Sequence, residues 1–189
     1  MKFLIPLCFV FIAFGAFGQQ LNNMSMEGEP IDATMPDGWH ACQEGTTPDI
    51  LPGPWGVEEE PYDGNTYVGL ITRPNGTWEA IGQRFSIPLK DKSCYTMGML
   101  LAHSDTYAGY NEPGRIRVYL GKSKCDYAQL ILDVASLSHT EWEYYPIRFT
   151  TEDTYQYIII ESFHPKGKRT SSGNILIDKI DPPVFCDRT

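Results

Sequence analysis

The chain has 189 residues, of which 42% are hydrophobic, 13% aromatic and 21% charged, a composition that excludes an acidic disordered tail or a membrane-spanning bundle and fits one compact domain. Its formal net charge of −9 excludes the broad basic face that phosphate-backbone binding needs, so nucleic acid is not an expected partner. With 17 Gly and 14 Pro the chain must turn often.

Residues 1–18 read as a secretory signal peptide. Lys2 gives a short positive start, 3–14 is an almost unbroken apolar run, and Ala16-Phe17-Gly18 places small residues at a cleavage site before Gln19. The run is too short to span a bilayer, and no later stretch approaches that length. Cys8 sits inside the apolar run rather than at its end, which disfavours a lipid anchor. The mature chain, 19–189, is therefore expected to be a single exported domain, secreted or periplasmic.

Residues 29–63 carry six prolines (Pro30, Pro36, Pro48, Pro52, Pro54 and Pro61), together with Trp39, Trp55 and the run Glu58-Glu59-Glu60. Proline donates nothing to a ladder, so a long ordered loop is expected here, functional or stapled in place, with Cys42 as a candidate staple. The glutamate run reads as a solvated face. From there on the period is two. Tyr95, Met97, Met99 and Leu101 alternate with their neighbours, as do Ile116, Val118 and Leu120. Similar runs at 67–72, 78–87, 129–134, 143–150, 155–163 and 174–180 are separated by Asp63-Gly64, Pro74-Asn75-Gly76, Pro113-Gly114 and Ser172-Gly173. No convincing amphipathic helix interrupts them. The pattern predicts an all-β fold, a two-sheet antiparallel jelly-roll β-sandwich with a long Pro-rich N-terminal loop.

Without Cys8, the cysteines are Cys42, Cys94, Cys125 and Cys186. An even count in an exported chain favours two disulfides. Zinc would want close pairs, and there is no C-x-x-C. Spacing leaves all three connectivities open.

The nucleophile-elbow, zinc-protease and dinucleotide signatures are missing. Gly121-Lys122-Ser123 ends like a phosphate loop, but position 116, where its first glycine belongs, is Ile116, and a hairpin turn explains it. His40, His103, His139 and His164 are scattered. A pair of acids for glycoside hydrolysis can always be found among 24 Asp and Glu, so that observation carries no weight and no enzyme is expected.

Several phrases in order carry a resemblance: 23–28 with Glu27, Pro36 to Trp39, 63–70 with Tyr67 and Gly69, Trp78 to Gln83, Cys94-Tyr95, Trp142, and 174–180 with Asp178. Together they resemble the galactose-binding-like jelly-roll domains, related to carbohydrate-binding modules, of exported and cell-surface Bacteroidetes proteins. The resemblance covers essentially the whole mature chain. It implies a structural Ca²⁺ held by Glu27, closing the first strand, and Asp178 on the last, with Asp63 a third candidate; hard oxygens from distant segments suit that ion. It implies neighbouring last and third major strands, hence Cys94 with Cys186 and Cys42 with Cys125. It also implies a non-catalytic module that binds a glycan through loop aromatics, an apolar ring face stacking on a pyranose. The candidates are Trp55, Tyr62, Tyr107 and Tyr110, with Asn111 as polar neighbour; Trp39 and Trp142 belong to the framework, and Trp78 to either. The alternative is an adhesion module that binds a cell-surface protein and has no sugar site.

Overall fold

The computed structural model describes residues 21–168 and 170–187; the expected signal peptide lies outside them. The strands are β1 (His40–Ala41), β2 (Asp49–Leu51), β3 (Tyr67–Ile71), β4 (Ala80–Leu89), β5 (Cys94–Ala102), β6 (Glu112–Gly121), β7 (Gln129–Leu137), β8 (Glu143–Thr150), β9 (Tyr155–Phe163) and β10 (Gly173–Phe185). One ladder runs β2-β3-β10-β5-β8 and the other β1-β4-β9-β6-β7, all antiparallel. They join where Gly173 and Asn174 of β10 pair in parallel with Glu112 and Pro113 of β6. This is the expected jelly-roll sandwich.

Alternation decides which side chains fill it. Val68, Leu70, Ile175 and Ile177 from the first sheet meet Ile116, Val118, Leu120, Ile158 and Ile160 from the second in the main core. Burying each such side chain contributes roughly 1.5–3 kcal/mol. Trp39 belongs to this core.

The Pro-rich segment differs from the expectation of a strandless loop. It contains β1, β2 and a 3-10 turn at Pro54–Gly56, because its prolines flank the paired residues and leave 49–51 able to pair with β3 on one side and, through the Ile50 amide at 3.1 Å, with the Ile31 carbonyl on the other. It forms a further layer. Leu51, Val57, Tyr67, Ile71, Ala102, Tyr107 and Leu176 make a second apolar cluster on the outer face of the first sheet, roofed by residues 52–66 and 103–110.

Both disulfides form as the resemblance implied, Cys42 with Cys125 and Cys94 with Cys186, at Cα–Cα distances of 5.0 and 5.4 Å. The second follows from pairing: β10 runs antiparallel to β5, and the Cys186 amide donates to the Cys94 carbonyl at 3.0 Å.

Candidate functional site

Strand β10 organises two loops with two buried polar side chains on its outer face, four residues apart. Asn174 takes the Ser104 amide on Oδ1 at 2.9 Å and donates from Nδ2 to the carbonyls of Ser104 and Tyr110, both at 2.8 Å. Asp178 accepts the amides of Tyr62 and Asp63 on Oδ2 at 2.8 and 3.0 Å. The first fixes loop 103–111, the second loop 61–66.

Loop 103–111 meets the segment around Trp55 to form a cavity of about 290 Å³ lined by Asp32, Ala33, Thr47, Asp49, Trp55, Ile71, Arg73 and Tyr110. Trp55 stands at its rim, 43% exposed, with left-handed backbone (φ 57°) between Gly53 and Gly56. A large side chain rarely adopts that conformation, and such residues concentrate at functional sites. Its carbonyl accepts the Ala108 amide at 3.0 Å, its indole Nε1 donates to Asp32 Oδ1 at 2.9 Å, and its ring meets Tyr110 nearly at right angles with centroids 6.2 Å apart. The two rings thus form a corner.

Acids and one base supply the polar walls. Glu79, buried just before β4, accepts the Thr47 amide and the Arg73 guanidinium on Oε1 at 2.9 and 2.6 Å, and the Ile71 amide on Oε2 at 3.0 Å. Asp49 is buried; it accepts the Ala33 amide at 2.8 Å and the Tyr107 hydroxyl. Burial pushes its carboxyl up to about 6, against the pull of the Tyr107 and Ala33 donors. Exposed Asp32 goes the other way, held below the usual carboxylate range by hydrogen bonds to Asp49 and then Trp55. Since Asp32 and Asp49 contact each other, they do not face across a cleft as a hydrolytic acid/base pair must.

The raised Asp49 carboxyl makes a stability prediction. The folded state holds its proton more tightly than the unfolded chain, whose carboxyl titrates near 3.9. Stability therefore falls as pH rises from about 4 to about 6 and is flat above, by up to about 3 kcal/mol at 1.36 kcal/mol per pH unit. In Asp49→Asn this part of the pH dependence is expected to vanish from melting curves taken between pH 4 and 7.5; an unchanged profile would contradict it.

The structure sorts the aromatic candidates. Trp55 and Tyr110 come together. Tyr107 does not join them as a platform, a correction to the expectation: it is 1% exposed, lies beneath Tyr110 with centroids 6.2 Å apart, and packs where Gly69 leaves room, since a side chain at Gly69 would meet the Tyr107 ring at 3.0 Å. Asn111 is exposed and does not line the cavity. Tyr62 is 58% exposed but sits on the loop held by Asp178, with Lys179 Nζ 6.0 Å from its ring centre. Trp142 is half-buried, edge-on to Tyr67 at 5.2 Å.

Glu27, Asp63 and Asp178 also gather at loop 61–66. Glu27 accepts the Asn65 amide at 3.0 Å, its carboxylate filling the space a side chain at Gly64 would need, and Asp63 accepts the Ser25 hydroxyl at 2.9 Å. Contrary to expectation Glu27 closes no strand, since residues 21–30 are irregular. Burial raises the Asp178 carboxyl, and the Asp63 charge adds to the rise. Among the described residues, three His, Cys, Asp or Glu donor atoms lie within 4.8 Å of one another at His40, Cys42 and Cys125, where both cysteines are already bonded to each other. The three carboxylates are therefore not drawn that tightly together.

A second polar network was not legible in sequence. On the outer face of β9, buried Glu161 accepts Trp78 Nε1 at 2.9 Å, the Tyr119 hydroxyl at 3.3 Å and the Arg117 guanidinium at 2.5 Å. Arg117 in turn lies 3.7 Å from the Phe163 ring centre. Burial raises the Glu161 carboxyl, with Arg117 opposing. Its own side chains already occupy Glu161, so this network reads as structural.

No protein-family model and no curated relative matches the sequence. By structure the chain is similar to a Stig cyclase, Fisc, from Fischerella sp. TAU (TM-score 0.59, 11% identity, 90% of this chain and 98% of that one). It is also similar to the K3 cleaved adhesin domain of Lys-gingipain from Porphyromonas gingivalis w83 (TM-score 0.55, 12% identity, 79% and 96%). A third similar structure is the CBM22-1 xylan-binding domain from Paenibacillus barcinonensis Xyn10C (TM-score 0.52, 11% identity, 85% and 97%). Such identities speak to fold, and one fold serves many functions. The fold of this chain is the jelly-roll β-sandwich that these structures share, as the resemblance implied.

Proposed function

We propose that this is a non-catalytic glycan-binding module of an exported protein, with the Trp55–Tyr110 corner as its sugar platform. The observation that carries the reading is the exposed indole held in a left-handed backbone conformation at the rim of a polar cavity. A pyranose has an apolar C–H face for such a ring and hydroxyls for Asp32, Thr47 and Arg73. The similarity in fold to a xylan-binding domain and two disulfides, which belong to oxidising compartments, support it. A glycan array and an insoluble-polysaccharide pull-down test it: specific binding is expected, lost at least tenfold (about 1.4 kcal/mol) in Trp55→Ala and Tyr110→Ala. No glycan binding by the folded protein would overturn it.

The protein-binding alternative is supported by a different surface, where Tyr144, Val184 and Phe185 are 53%, 49% and 51% exposed beside a shallow cleft with Pro182 and Met97. Single exposed apolar residues need no explanation, but neighbours do.

We also propose that loop 61–66 takes a structural Ca²⁺ between Glu27, Asp63 and Asp178. The donor chemistry fits: three hard carboxylates from distant segments meet at one loop, and among the described residues none is in an ion pair with Lys or Arg. Asp178→Ala is then expected to lower the melting temperature much more in Ca²⁺ than in chelator. Equal losses in both would show that the carboxylate serves only the amides of Tyr62, Asp63 and Lys179.

A further inference from the structure

We propose that the Trp55–Tyr110 cavity selects amino sugars carrying a free ammonium group over neutral glycans. The proposal rests on the glycan reading of the same cavity and adds the charge of the ligand to it.

The cavity's charges decide the matter. Asp32, Asp49 and Arg73 line it. The one cation, Arg73, is committed at 2.6 Å to Glu79, whose side chain is wholly buried, so its charge is answered from within the protein. Asp32 and Asp49 receive only neutral donors, the Trp55 indole, the Ala33 amide and the Tyr107 hydroxyl, and among the described residues neither is in an ion pair with Lys or Arg. Asp32, which is hydrogen-bonded to the raised Asp49 carboxyl, is therefore the uncompensated charge of the pair.

A neutral pyranose stacked on Trp55 would take water from this carboxylate and give back only hydroxyl dipoles, and desolvating charge without a counter-charge is unfavourable. An ammonium on the ring returns a charge-assisted hydrogen bond. Asp32 is the exposed member of the pair and the reachable one, and its hydrogen bonds to Asp49 and Trp55 keep it ionised.

Calorimetric titration with β-1,4-linked glucosamine hexamer, its N-acetylated counterpart and cellohexaose tests this. The glucosamine hexamer is expected to bind at least about tenfold more tightly than either neutral chain. Asp32→Asn keeps an oxygen for the Trp55 indole and removes the charge; it is expected to lower the affinity for the glucosamine hexamer at least about tenfold more than that for cellohexaose, and so to erase the preference. Asp91→Asn, at the β4–β5 turn, controls for attraction to the overall charge of −9 and is expected to keep the preference. Three results would overturn the proposal. If a neutral glycan binds as tightly and Trp55→Ala abolishes it, the selectivity is wrong but the glycan reading stands. If the preference survives Asp32→Asn, it does not arise in this cavity. If no glycan binds the folded protein, both readings fall.

Discussion

Asn174→Ala is expected to lower stability by about 2–4 kcal/mol and to abolish ligand binding although Asn174 lines no cavity. Its side chain makes three hydrogen bonds at 2.8–2.9 Å to the backbone of Ser104 and Tyr110, and it is fully buried. Each backbone group left without a partner in such a place costs about 1–3 kcal/mol, less whatever relaxation recovers. For a chain of this size the melting temperature should fall by roughly 10 °C. The functional loss has a different route. Loop 103–111 presents Tyr110 to Trp55, so freeing the Tyr110 carbonyl loosens one wall of the corner. Asn174→Asp should do no better, because it sets a carboxylate against the two carbonyls that the amide now serves. Urea denaturation and glycan titration of the two variants check both halves, and an Asn174→Ala protein with wild-type affinity would sever the proposed link between β10 and the site.

The second large effect concerns the disulfides. The bonded pairs are separated by 83 and 92 residues, and on chain-entropy grounds closing such a loop stabilises by about 4–5 kcal/mol, an upper figure that residual structure reduces. Replacing Cys94 and Cys186 together by serine is expected to cost about 3–5 kcal/mol; Cys42 with Cys125 should cost a similar amount. The consequences differ by position. Cys186 follows the last strand, whose pairing with β5 shifts register between Asp181 and Val184, so that double variant should fray the Tyr144–Val184–Phe185 end. Cys42 sits over Gly82, where a side chain would meet its sulfur at 2.8 Å, so its loss should loosen β1 and leave the Trp55 cavity's affinity nearly unchanged. Chemical denaturation without reductant, with amide hydrogen exchange to locate the loosening, separates the two.

The strands were legible because alternation and turn residues report locally. The runs expected at 143–150 and 155–163 are β8 and β9 as found. Departures have identifiable causes. The run expected to end at 180 continues to Phe185 because Pro182 and Pro183 fall at a register shift in the pairing with β5, where no ladder donor is needed. The run expected at 78–87 starts later, with β4 beginning at Ala80; Trp78 makes an isolated bridge to Thr72 and turns its indole to Glu161.

The site was legible only in part. Trp55 and Tyr110 could be named as loop aromatics, but no period distinguishes an aromatic on top of a loop from one beneath it, and Tyr107 lies beneath. Gly69 inside a strand was the available signal, since such a glycine marks a close approach. Asp32, Arg73, Glu79 and Asn174 gave no signal because their roles depend on contacts across 6 to 70 residues of sequence, set by strand register rather than by neighbours.

The most direct test of the glycan account is a nitrogen–proton correlation spectrum of the four indole groups, Trp39, Trp55, Trp78 and Trp142, recorded while titrating the best array hit. The Trp55 Nε1–H signal, which the structure ties to Asp32, is expected to shift with saturation while the other three stay in place. A shift at Trp78 or Trp142 with Trp55 unmoved, or no shift at all with a folded protein, would contradict the assignment of this cavity as the binding site.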